Sequence, residues 1–130
     1  TGIVYCVKFS ATVARDLVGV CETRENMLPL VEDARFPERY EDIVGQVDIV
    51  YQDVADREQV QILEVNCQRM LKPGGFAFLC VKSRSIDSSK PPQQVYSIVV
   101  GRLQQSFDVL EKIRLEPFDR DHLFLVLRKR

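Results

Sequence analysis

The stretch VDIVYQDVADREQ, Val47 to Gln59, decides how the chain is read. Apolar residues at Val47, Ile49, Val50 and Tyr51 predict a strand that ends on Asp53, and a helical pattern starts just beyond it. A strand that stops on an acid, followed by a helix, sets a carboxylate at the carboxyl edge of a parallel sheet. In open α/β folds ligands bind at that edge.

Downstream, Asp56 is placed to cap a helix reaching about Leu71, with Val60, Leu63, Val65, Cys67 and Met70 as its apolar residues. The run LKPGG, Leu71 to Gly75, closes that helix, because proline cannot continue it and glycine accepts left-handed backbone. A strand from Phe76 to Val81 ends on Lys82, and Ser83 to Pro92 reads as a polar loop. A helix from Gln93 to Gln105 is expected to bury Val95, Ile98, Val99 and Leu103. Strands Phe107 to Leu115 and His122 to Arg128 follow, and the short turn through Pro117 to Asp121 predicts an antiparallel hairpin.

Upstream, Ile3 to Phe9 predicts an opening strand. A helix over Ala11 to Thr23 follows, capped by Ser10 or Thr12 and carrying Val13, Leu17, Val20 and Cys21 at helical spacing. A strand Met27 to Val31 ends on Glu32 and Asp33, and Ala34 to Gln46, with Pro37, reads as loop with room for one helical turn. Strands alternating with helices and ending in a hairpin predict an α/β fold, a doubly wound, mostly parallel sheet with an antiparallel C-terminal hairpin. That is the Rossmann-like methyltransferase arrangement.

The 130 residues, 45% hydrophobic and 28% charged, suit one soluble globular domain with one core. The expectation is a single domain over residues 1–130 that begins inside a larger one, because a strand opens the chain without any lead-in. No apolar run approaches the ~20 residues of a membrane span, and TGIVYCVKFS has no signal-peptide pattern. Four scattered cysteines (Cys6, Cys21, Cys67, Cys80) show no zinc spacing and read as reduced thiols of an intracellular protein. A net charge of −1 gives no global nucleic-acid signal. Local basic residues, Lys82 to Lys90 and Arg128 to Arg130, are the places where phosphates could be met.

VYCVKFS (Val4 to Ser10), LVEDARFP (Leu30 to Pro37), VDIVYQDVADREQ and EPFDRDHLFLV (Glu116 to Val126) together resemble the fibrillarin family, RNA 2′-O-methyltransferases of box C/D ribonucleoproteins. The resemblance runs in order over nearly the whole chain. It implies an S-adenosylmethionine-dependent catalytic subunit that methylates ribose 2′-hydroxyls of pre-rRNA. Its partners would be a guide RNA, the target RNA and box C/D scaffold proteins, with no metal and no membrane. The location would be the nucleolus, or the cytoplasm of an archaeon.

Position by position, the resemblance places Glu32, Asp33 and Ala34 against the cofactor's adenine and Asp53 near its methionine part. It puts Lys82 and His122 with Asp53 in the catalytic group, and a further lysine and a glycine-rich cofactor turn before Ile3. Two departures stand out. Lys8 occupies the position of an acid that accepts hydrogen bonds from the cofactor ribose, and lysine has donors only. Asp56 stands where the family has a glutamine beside the cofactor.

Taken singly, each of these residues also has a structural reading. Lys82 could be a solvated lysine at a strand end, Asp53 a helix cap, His122 a hydrogen-bonded strand residue, and Glu32 and Asp33 loop acids. In the catalytic reading Lys82 is the base or orients the ribose hydroxyl, Asp53 fixes its geometry, and His122 assists. Two other functions stay open: a non-catalytic module in ribonucleoprotein assembly, and a methyltransferase acting on a small molecule or protein.

Overall fold

The computed structural model describes residues 2–117 and 120–130, without the side chains of residues 11–14. The chain forms two compact units, Thr1–Gly45 and Gln46–Arg130, each described by itself.

In the first unit, β1 (Val4–Lys8), α1 (Ala11–Glu22) and β2 (Met27–Val31) form a βαβ unit with the two strands parallel, Lys8 lying opposite Val31. Ser10 takes the N-cap of α1 without a side-chain hydrogen bond, so its expected capping role is not made. The side chains of Thr12 and Val13 lie outside the described residues. Beyond β2 the segment read as loop holds a 3₁₀ turn, Pro37–Arg39, and one short helix, α2 (Glu41–Val44).

The second unit holds β3 (Val47–Gln52), α3 (Gln59–Met70), β4 (Leu71–Lys82), α4 (Ser83–Ile86), α5 (Pro92–Leu103), β5 (Phe107–Arg114) and β6 (His122–Lys129). Its sheet runs β3-β4-β6-β5, with β3 parallel to β4 and both contacts of β6 antiparallel, as the hairpin expectation required. The parallel β1–β2 and β3–β4 pairs and the antiparallel C-terminal strands are those of the expected α/β fold.

The core sits in the second unit. Alternate residues of β4 (Ala77, Leu79, Val81) and β6 (Leu123, Leu125, Leu127) face Val60, Leu63 and Cys67 of α3 and Val95, Val99 and Leu103 of α5. Two helix readings need correction. Ile98 is 52% exposed and Tyr96 is buried in its place, because the buried face of α5 follows the four-residue steps Val95, Val99, Leu103. On α3, Val65 is only half-buried, whereas Ile62 and Asn66 are buried.

The KPGG segment ends α3 as expected, and it also bulges within β4, where the pairing jumps from Val47–Leu71 to Ile49–Phe76. Gly74 has φ +80°, and a Cβ at Gly75 would come within 2.9 Å of the Asp48 and Lys72 carbonyl oxygens. Glycine is therefore required at both positions. Lys129 closes the same corner: its Nζ donates to the carbonyls of Cys67 (2.8 Å) and Leu71 (2.7 Å) at the end of α3.

Candidate active site

Asp53 follows β3 directly, and Lys82 is the last residue of the neighbouring parallel strand β4. Adjacent parallel strands end at the same edge, so the two residues meet there. Lys82 Nζ donates to Asp53 Oδ1 and, at 2.9 Å, to the Asp53 carbonyl. The lysine side chain is 16% exposed and the aspartate 53%. The reading of Lys82 as a freely solvated strand-end lysine is thereby replaced by an ion pair. His122 opens β6, and the antiparallel register sets it opposite Lys82.

Two glutamines that the sequence reading passed over hold this edge in place. Gln59, fully buried, accepts from the Lys82 N–H through Oε1 (2.9 Å). Its Nε2 donates to the carbonyls of Asp56 (2.9 Å) and, more weakly, Val54 (3.5 Å). Gln52, also buried, donates to the Gln59 carbonyl at 2.6 Å. One amide thus fastens the end of β4 to the loop that follows Asp53. The available signal was two glutamines flanking DVADRE, at positions where a strand and a helix turn inward.

Asp56 does not cap α3, which begins at Gln59. Its Oδ1 instead accepts from the Glu58 N–H at 2.7 Å, an Asx-type turn that readies the loop for the helix. This leaves the carboxylate partly satisfied by backbone.

In the first unit Asp33 is buried, and Arg35 engages its carboxylate through Nε (3.0 and 3.1 Å), an NH₂ group (2.6 Å) and the backbone N–H (3.0 Å). The Arg35 hydrogen bonds hold the Asp33 carboxyl below the usual aspartate range despite the opposing effect of burial. Asp33 therefore shapes the loop with its side chain. Glu32 and Ala34 are half-buried beside it, and the Glu32 N–H donates to the Lys8 carbonyl at 3.1 Å. Lys8 itself is exposed at the end of β1.

The basic residues singled out for phosphates are mostly committed. Lys129 caps α3, Arg130 pairs with Asp108 (2.9 Å), Lys90 lies 3.7 Å from Asp87, and Arg84 pairs with Asp121 (2.5 Å). No group of histidine, cysteine or acidic side chains suited to a metal occurs among the described residues. Among the described residues no helix is long and apolar enough to cross a membrane.

In the second unit the carboxylates of Asp53 and Asp56 could accept from the ammonium of S-adenosylmethionine; in the first unit Lys8 offers donors only and cannot accept from ribose hydroxyls.

A parallel sheet carrying an acid and a lysine at its carboxyl edge, finished by an antiparallel hairpin, defines a Rossmann-like methyltransferase fold. The family model "Fibrillarin" matches residues 1–130, and the chain belongs to the fibrillarin family. It is 44% identical over 126 residues to the rRNA 2′-O-methyltransferase fibrillarin of Caenorhabditis elegans, covering 96% of this chain and 36% of that protein. Fibrillarin in a complex with Nop5p superposes with a TM-score of 0.97 at 36% identity, over 99% of this chain and 62% of the other. Aeropyrum pernix fibrillarin with natively bound S-adenosyl-L-methionine gives 0.86 at 38% identity, over 97% and 55%. The chain spans about half the length of the archaeal curated relatives it matches.

Proposed function

We propose that the protein transfers a methyl group from S-adenosylmethionine to ribose 2′-hydroxyls of RNA, as the catalytic subunit of a guide-RNA box C/D ribonucleoprotein. The observation that carries this reading is the Lys82–Asp53 pair at the carboxyl edge, with His122 opposite Lys82. Guide RNA selects the pre-rRNA target and a box C/D scaffold protein docks the subunit, as the complex of its relative with Nop5p supports. The place of action is the nucleolus in a eukaryotic cell, or the cytoplasm in an archaeon.

The cofactor, when bound, supplies an electrophilic methyl group on a sulfonium. The protein has to bring a hydroxyl oxygen into line and manage its proton, and such alignment contributes roughly 7–11 kcal/mol in the best intramolecular analogues. Lys82 has three N–H donors, of which two are spent on Asp53, leaving one to point at the ribose oxygen. Of its two expected roles, this bonding favours orienting the hydroxyl and stabilising negative charge as it develops, with the hydroxyl proton passing to water at the open strand edge. Asp53 fixes the ammonium, and His122 is placed to bond the nucleotide from the other side. Glu32 and the backbone at Asp33 and Ala34 offer acceptors and donors for the adenosine end, and Asp53 and Asp56 offer acceptors for the amino-acid end.

A second reading, a non-catalytic module in ribonucleoprotein assembly, is favoured by one observation, the donor-only Lys8. Assembly with scaffold protein and guide RNA, followed by site-specific methylation with labelled cofactor, separates the two. The enzyme reading expects transfer by the parent and its loss in Lys82→Ala with the fold retained. Near-normal turnover in Lys82→Ala would sink the Lys82 assignment. Absent turnover, together with cofactor binding that appears only in Lys8→Glu, would establish the module reading.

A further inference from the structure

The catalytic edge carries a second fastening, on the side away from Gln59. Ser83 follows Lys82 and Asp121 precedes His122, so these two residues flank the cross-strand pair. Both the N–H and the hydroxyl of Ser83 donate to the one carbonyl oxygen of Asp121, at 3.1 and 2.9 Å. Ser83 is 1% exposed, so its hydroxyl is held inside rather than turned to water.

Asp121 has φ +60°, in the left-handed region that side-chain-bearing residues other than asparagine and aspartate rarely adopt. Its carboxylate accepts from Arg84 Nε, and that bond raises the Arg84 guanidinium above its usual value. A backbone held in a sparsely populated conformation by three donors from the two residues after Lys82 is over-determined. Such local constraint gathers at functional sites.

We propose that Ser83 and Asp121 form a positioning clasp that sets the direction of His122 relative to Lys82. The proposal rests on the methyltransferase reading for its consequence, because both residues act through the pair they flank. The double bond from Ser83 keeps the Asp121 carbonyl turned inward. That orientation, with the left-handed turn, aims the chain into β6 so that His122 starts the strand opposite Lys82. Without Ser83 Oγ one of the two donors to the Asp121 carbonyl is gone, and the entry to β6 is held only by the Ser83 N–H and by the Leu115 N–H bond to the His122 carbonyl.

The test uses three variants and two readouts. Ser83→Ala removes the hydroxyl donor. Asp121→Val disfavours the left-handed backbone, because a β-branched residue is a strained occupant there. Asp121→Asn keeps the carbonyl and tolerates that backbone, although it loses the charge facing Arg84.

His122 is the only histidine in the chain, so its imidazole signals in an NMR spectrum are unique. The parent and Asp121→Asn are expected to give one sharp, similar set. Ser83→Ala and Asp121→Val are expected to shift and broaden it while the rest of the spectrum stays folded. In the assembled ribonucleoprotein, the methyl-transfer rate at saturating target should fall about tenfold or more in those two variants, with the apparent affinity for target unchanged. Asp121→Asn should stay close to the parent.

An unmoved imidazole and an unchanged transfer rate in Ser83→Ala would overturn the clasp. So would an Asp121→Asn loss as large as that of Asp121→Val, since charge rather than backbone would then carry the effect. A parent that transfers no methyl group would instead overturn the methyltransferase reading, and the NMR comparison would still decide whether the clasp orients His122.

Discussion

Replacing Gln59 by leucine should damage the strand edge that carries Asp53 and Lys82 more than any exposed substitution on the same helix. The side chain is fully buried and makes two strong hydrogen bonds, from the Lys82 N–H and to the Asp56 carbonyl, plus a long one to the Val54 carbonyl. Leucine is of comparable size, so little packing is lost and the cost is polar. A buried donor or acceptor left without a partner costs ~1–3 kcal/mol. Two such groups, one in a loop that water can partly reach, give an expected loss of about 2–4 kcal/mol. Against a total stability of about 5–15 kcal/mol for a domain, that is a large fraction.

Gln59→Glu sharpens the test. It keeps the acceptor for Lys82 but turns an oxygen toward two carbonyls, and burial would raise the new carboxyl above its unfolded value. A raised folded-state pKa means that the native state holds the extra proton. The stability of Gln59→Glu relative to the parent should therefore fall as pH rises through the carboxyl's titration, and recover in acid. Urea unfolding followed by circular dichroism at pH 7 and near pH 4.5 measures both effects. A Gln59→Leu loss below about 0.5 kcal/mol, the size of an ordinary surface change, would refute the assignment of Gln59 as the brace.

Three further outcomes follow from the bonding described. Lys129→Met keeps the apolar stem but removes both bonds to the end of α3, and should cost about 1–2 kcal/mol in the same unfolding assay; an unchanged midpoint would remove the capping role. Burial pushes the Cys67 thiol up to about 12, with Lys129 opposing, so native-state alkylation at pH 8 should label Cys67 last of the four cysteines; early labelling would contradict its burial. Asp33 is held below its unfolded value by Arg35, so its stabilisation is present at neutral pH and is lost as pH falls below the usual range near 3.9. The stability gap between parent and Asp33→Asn should accordingly be widest at pH 7 and shrink toward pH 3, and a gap that widens in acid would reverse the assigned cause.

The period-two and helical patterns made most elements legible, because apolar burial writes itself into sequence at those two spacings. Where a residue was misread, a neighbour competed for the face, as with Ile98 against Tyr96 on α5. The register of neighbouring strands could not be read, because each strand pattern records which face is buried and says nothing of which residue lies alongside. Asp53, Lys82 and His122 were legible as chemistry-bearing residues at strand ends. Their pairing was not, since the Lys82–Asp53 bond spans 29 residues of sequence and depends on the register of β3 with β4.

Gln59, Gln52, Ser83 and Asp121 escaped for a different reason. A buried amide or hydroxyl has no periodic signature, and its value lies in which backbone groups it reaches. In this edge the residues expected to carry the reaction keep some exposure, from 16% for the Lys82 side chain to 53% for Asp53, while Gln59 and Ser83, which hold them, are among the most enclosed polar residues described. That division has a physical basis. A lysine and a histidine that must meet a substrate cannot be packed into place from all sides, so their backbone has to be fixed from beneath. Two polar anchors do so on either side of Lys82, Gln59 through its N–H and Ser83 through the start of β6. The consequence separates two kinds of failure. On the proposed function, loss of Lys82 should abolish transfer with little change in stability, whereas loss of Gln59 should lower both together, because its hydrogen bonds both place the lysine backbone and satisfy a buried amide.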